Sequence, residues 1–295
     1  MIHAVEQVKV GARNIKVVRE EFESCAELCR VSRSRPCNFS EGDDYFGKAT
    51  GSKYFNGFYQ PSELWSLMDN GLDDQNVITE ATAKLNVARK KEVPKRTNTT
   101  RAVAGFMPVV PLVLQGRPKN MLTTKVRLTK SRIVEVIWDC SISAYMSESK
   151  VREVGIEVFK QVISLEKQGY RVRLRAVGGF CNEKTAHICA VTLKREDQPM
   201  NLSRLLFPTT HRAFDRGVMF GWYVRCPDAI ELCAFGRPPY YAYRSDLDNF
   251  YKALFGQNCV PLSVQRFEAT SNGNLEDEVR KEITRKIETP SPRKA

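Results

Sequence analysis

The chain has 295 residues, 42% of them hydrophobic and 27% charged, with 46 Lys and Arg against 34 Asp and Glu for a net charge of +12. That is enough apolar material for a sizeable core, and no run approaches the ~18–20 apolar residues of a membrane helix. The opening M-I-H-A-V-E-Q-V-K-V lacks the charged-then-apolar order of a secretory signal, so the expected location is a cytoplasm with no membrane partner, and the nine scattered cysteines are expected to be reduced and mostly buried.

In chain order, residues 5–32 read as mostly helical. Val8, Val10, Ile15, Val17, Val18, Phe22, Cys25, Leu28 and Cys29 fall near helical spacing, and Pro36 ends the pattern. Cys25 and Cys29 then share one helix face. Cys37 would be a third thiol, but no fourth zinc ligand lies nearby, so core packing is the expected role. A Gly- and aromatic-rich stretch follows, then a short helix in P-S-E-L-W-S-L-M-D-N-G, with Ser62 as N-cap and Gly71 as stop. Residues 76–92 suit a further helix running into the basic segment R-K-K-E-V-P-K-R-T-N-T-T-R. The prolines of M-P-V-V-P-L-V-L-Q-G-R-P predict an extended segment rather than a helix.

Residues 131–139, S-R-I-V-E-V-I-W-D, predict a strand buried on both faces. The helix after it, capped by Ser147 or Ser149 and stopped by Gly169, carries an apolar stripe of Val151, Val154, Val158, Phe159, Val162 and Leu165. Y-R-V-R-L-R-A-V and A-H-I-C-A-V-T-L-K-R predict a hairpin, with Gly178-Gly179 in its turn. Q-P-M-N-L-S-R-L-L-F-P begins a helical or extended connection, and H-R-A-F-D-R-G-V-M-F-G-W a glycine-interrupted helix. Further strands are expected at 229–235 and 259–267, with the helix L-D-N-F-Y-K-A-L-F between them. From Ser271 a charged helix fades into a loose tail. The divisions expected are 1–128, a helical and irregular region packed on the core; 129–269, an α/β core; and 270–295, a charged and partly disordered tail.

The strand ending in D-C-S-I-S, with Asp139, Ser141 and Ser143, followed by a long helix and an edge hairpin, resembles the opening half of a von Willebrand factor A-type domain. The resemblance implies an α/β fold, an open three-layer sheet. It also implies a magnesium-type ion, Mg or Mn, at Asp139, Ser141 and Ser143. A Thr from a second loop, Thr209 or Thr210, and an Asp from a third, Asp228, would complete the set. A hard cation wants such oxygen ligands, and strand carboxyl ends are where ligands collect in open α/β sheets. This chain departs from the pattern, having Ala144-Tyr145-Met146 where the family has a Gly-containing turn. Asp and Ser at a strand-to-helix junction also serve as a plain turn. Several segments between 57 and 208, among them G-F-Y-Q-P-S-E-L-W-S-L-M-D-N-G and Q-P-M-N-L-S-R-L-L-F-P, further resemble an uncharacterised family of phage and phage-derived bacterial proteins. That implies a phage context, hence the host cytoplasm, and no mechanism.

The three histidines, His3, His187 and His211, stand in no metal-hydrolase motif, and no nucleophile elbow or phosphate-binding glycine loop occurs. The carboxylate pairs Asp43-Asp44, Asp73-Asp74 and Asp246/Asp248 fall in turns or at a helix start. F-G-R-P-P-Y-Y-A-Y-R sets Arg237 and Arg244 around Tyr240, Tyr241 and Tyr243, a composition suited to phosphate contact and base stacking, or to an aromatic loop on the core. The reading is a non-enzymatic binding module for a protein partner, ion-dependent through Asp139. The alternative is a nucleic-acid-binding phage accessory factor, carried by the basic excess.

Overall fold

The computed structural model describes residues 1–36, 61–71, most of 75–83, 97–104, 107–126, 133–143, 146–182, 184–198, 201–226, 238–267 and 272–288. The chain opens with strands, not a helix. β1 (Ile2–Val10) and β2 (Arg13–Phe22) form an antiparallel hairpin with Val10 opposite Arg13, closed by the two residues Gly11-Ala12. Gly11 has φ +59°, the conformation a tight hairpin turn demands at that position. The helix expected over 5–32 is confined to α1 (Cys25–Ser34), where Ser24 caps the Glu27 amide. The spacing misled because V-x-V pairs at 8, 10 and 15, 17 satisfy a two-residue period as well as a helical one.

α2 (Pro61–Asn70) is the expected short helix, stopped by Gly71 at φ +86°. A three-stranded sheet follows: β3 (Thr97–Ala102), β4 (Met107–Pro108) and β5 (Met121–Val126), in the order β3-β5-β4. The segment expected to be extended holds α3 (Val110–Leu114), because Pro111 sits in its first turn, where a missing N–H costs nothing. Val103, Met107, Val110, Val113 and Leu114 are exposed there.

The main sheet is completed by β6 (Ile133–Asp139), β7 (Arg171–Cys181), β8 (Thr185–Lys194) and β9 (Cys259–Ser263), in the order β1-β2-β8-β7-β6-β9. β6 runs parallel to β7 and β9, β7 and β8 form an antiparallel hairpin, and β2 runs parallel to β8. The sheet is therefore mixed, and its first two strands come from the segment assigned on sequence to a helical region. Gly178 and Gly179 lie inside β7, not in the turn. A Cβ on Gly178 would meet the Met219 side chain at 2.8 Å, and one on Gly179 the His187 carbonyl at 2.6 Å. These glycines serve close approach, not reversal of the chain.

One face of the sheet packs against α1, α2, α4 (Glu148–Lys167), α5 (Leu202–Thr210), the π-helical turn Phe214–Met219, α6 (Phe220–Tyr223) and α9 (Asn272–Glu288). α4 runs as expected, capped by Ser147 and ended beside Gly169. α9 is more than a solvated tail, since Leu275, Val279 and Ile283 are buried in this cluster. The other face carries α7 (Pro239–Ala242), α8 (Leu247–Phe255) and a second cluster, with Ile137, Val177, Ile188, Tyr243, Phe250 and Tyr251. At its far end Glu6, Arg19, Glu21, Arg175 and Glu135 form a chain of ion pairs at 2.7–3.1 Å. Arg19 also donates to the Leu254 carbonyl at 2.7 Å, and both arginines lie over the Phe255 ring, which ties down the end of α8.

Candidate functional site at the end of β6

β6 ends at the sheet's carboxyl edge, and the parallel register sets Asp139 beside Ser263 on β9. Asp139 is 0% exposed. Its Oδ1 accepts the Ser141 N–H at 3.1 Å, the turn that Asp-x-Ser favours. Tyr251 on α8 and Ser263 turn their hydroxyls toward the same carboxylate. They come close without bonding: Asp139 Oδ2, Ser141 Oγ, Tyr251 Oη and Ser263 Oγ are all buried with no hydrogen-bond partner. Buried polar atoms are rarely left so, and four together mark a place built for something that binds oxygen.

A second carboxylate stands close by. Asp215 lies in the π-helical turn, and its Oδ2 accepts the Ile142 N–H at 3.1 Å. Asp139 and Asp215 are thus held by successive amides of one segment. Burial pushes the Asp139 carboxyl up to about 6, against the lowering effect of Ser141, Tyr251 and Ser263. Burial pushes Asp215 up to about 7, where the Ile142 amide and Arg216 pull it back and the Asp139 charge adds to the rise. The Cys140 thiol, between them in sequence, is raised well above its usual range by burial and then by both carboxylates. Its Sγ donates to the Val177 carbonyl at 3.2 Å.

Of the expected ligands, Asp139 and Ser141 are in the group of unpartnered atoms. Ser143 is half-buried and already partnered, its carbonyl accepting the Met146 N–H at 3.3 Å. Thr209 and Thr210 are not ligands here, because their hydroxyls donate to the Leu205 and Leu206 carbonyls of their own helix. Asp228 lies outside the described residues. Tyr251, Ser263 and Asp215 were not singled out on sequence. Tyr251 is indistinguishable from the apolar stripe of α8, and Ser263 gains its place only when β9 pairs with β6. Asp215 left one trace, a carboxylate inside the otherwise apolar run A-F-D-R-G-V-M-F.

The donors are all oxygen, and one or two carboxylates with hydroxyls suit a hard divalent ion such as Mg or Mn. Among the described residues no three His, Cys, Asp or Glu side chains come together as a metal-binding group. A cation here would therefore draw on hydroxyls and water as well.

The Arg/Tyr segment does not form the expected stacking platform as a unit. Tyr243 is fully buried, packs on Phe250 at 4.6 Å and donates its hydroxyl to the Asn182 carbonyl, so its ring is closed to a base. Arg244 is exposed. Arg237 and the side chains of Tyr240 and Tyr241 lie outside the described residues. Two of the β7 arginines that add to the basic excess are also engaged, Arg173 with Glu196 and Arg175 with Glu21 and Glu135. Cys25 is half-buried and Cys29 buried, and burial pushes the Cys25 thiol up to about 12, as packing cysteines require. No helix among the described residues is long and apolar enough to cross a membrane.

A family model described as Domain of unknown function (DUF7192) matches residues 5–251. No curated protein and no solved structure matches the chain.

Proposed function

The chain belongs to the DUF7192 family, and from that premise we propose that it is a non-enzymatic binding module whose protein-binding state depends on a divalent ion, Mg or Mn, held at the end of β6. The observation that carries this is the group of four buried oxygens without partners: Asp139 Oδ2, Ser141 Oγ, Tyr251 Oη and Ser263 Oγ. An ion there would bond to β6, β9 and α8 at once. It would fix the 140–143 segment and the end of the sheet that a partner meets. Because Asp139 is fully enclosed, the ion supports this surface from within instead of accepting a partner's carboxylate directly.

A von Willebrand factor A-type core belongs to the same proposal. The order β8-β7-β6-β9, the D-x-S-x-S turn at the end of β6 and α4 directly after it support that reading. The phage context and the host cytoplasm are proposed on the sequence segments alone.

Thermal melting of the wild type and of Asp139→Ala, each with and without millimolar Mg or Mn, tests the ion. A rise in Tm with metal in the wild type alone is the expected result. Equal melting with and without metal would leave the group to an ordered water. The alternative function, nucleic-acid binding, rests on the net charge of +12 and requires an affinity that collapses with rising salt.

A further inference from the structure

We propose that Asp215 is the second carboxylate ligand of the ion site at the end of β6. This rests on the reading of Asp139 as an ion ligand and goes beyond the Asp-x-Ser-x-Ser turn, to which Asp215 does not belong. Three observations carry it.

The first is the shared anchor. Asp139 Oδ1 takes the Ser141 amide and Asp215 Oδ2 takes the next one, that of Ile142. A single short segment therefore sets where both carboxylates stand. The second is how Asp215 gets there. It sits in a π-helical turn, a form that is rare and concentrated at functional sites. That turn is fixed from two sides: Met219 lies against Gly178 of β7, and Leu64 of α2 lies against Gly217, with no room for a Cβ on either glycine. The third is the imbalance of the site. Asp139 Oδ2, Ser141 Oγ and Ser263 Oγ are enclosed and unpartnered. Two buried carboxylates facing one such group repel each other, and a water satisfies the oxygens without balancing the charge. A divalent cation does both, by direct bonds or through a retained water.

The test is binding of Mn(II) alone, followed by its electron paramagnetic resonance signal, to the full chain and to Asp139→Asn and Asp215→Asn. Asn at 215 can still accept the Ile142 N–H, so the fold is expected to survive. The wild type should bind Mn(II), Asp139→Asn should not, and Asp215→Asn should bind about 10–100-fold more weakly. Asp215→Glu keeps the charge one methylene further out and should bind between the wild type and Asp215→Asn. It also serves as the variant to use should the Asn form misfold. Wild-type affinity in both Asp215 variants, with loss in Asp139→Asn, would overturn the role of Asp215 and leave Asp139 as a ligand. No binding by the wild type would overturn both.

Discussion

Trp222 donates its indole N–H to Glu20 Oε2 at 2.7 Å, joining α6 to β2 across 202 positions of sequence. Glu20 is fully buried and also takes both guanidinium nitrogens of Arg35, at 2.7 and 2.9 Å, and His3 Nδ1 at 3.1 Å. Burial by itself would raise its pKa. The Arg35 and Trp222 hydrogen bonds and the Arg35 charge outweigh that and hold the carboxyl below its usual value. Removing Arg35 strands the charge, so Arg35→Ala should cost about 3–5 kcal/mol in denaturant unfolding. Trp222→Phe keeps most of the packing and should cost about 1–3 kcal/mol.

The pH dependence of stability should have two limbs. Glu20 has a lowered pKa in the folded state, so it stabilises above its unfolded value near 4.5 and this is lost as pH falls further. Asp139 and Asp215 are raised, to about 6 and about 7. Between 3.8 and those values the folded state binds more protons than the unfolded one, so metal-free stability should decline as pH rises from about 4 to about 7. Melting curves across pH 3–8 should show a maximum between the limbs. Asp139→Asn should flatten the upper limb and Glu20→Gln the lower one, and a single monotonic curve would contradict both assignments.

Gly155 lets α4 and α5 touch, since a Cβ there would run into the Thr209 carbonyl. Gly155→Ala should therefore push the two helices apart and destabilise by about 1–3 kcal/mol, although alanine is the better helix former. A measured gain in Tm would show that this contact yields freely.

α9 is bound to the core by Leu275, Val279 and Ile283, and by Lys286, whose Nζ meets Asp248 and Glu282 at 2.9 Å. Ile283→Ala should cost about 2–5 kcal/mol. Hydrogen exchange should show α9 losing protection first, with the facing side of α4 following.

What the sequence revealed was the part built from local pattern. α4 has caps, a stripe and a stop glycine, and β7 and β8 alternate cleanly, so both were legible. β1 and β2 were not. Val8, Val10, Ile15 and Val17 fit two periods, and only Gly11-Ala12 between them hinted at a hairpin. The site divided the same way. Asp139 and Ser141 announce themselves because a turn places them. Ser263 and Tyr251 come from later strands and helices, and their meeting with Asp139 depends on sheet order, which no local spacing records.

The parallel pairing of β2 with β8 also sets a clock. Residues 13–22 leave the ribosome long before residues 185–194, their partners in the sheet. At roughly 5–20 residues per second, the first hairpin waits on the order of 10–40 s for its neighbour. During that interval Ile15, Val17, Val18 and Phe22, all buried in the finished protein, have no core to enter. The nascent chain should therefore be a chaperone client through most of its synthesis, and refolding from denaturant should be slow for its size.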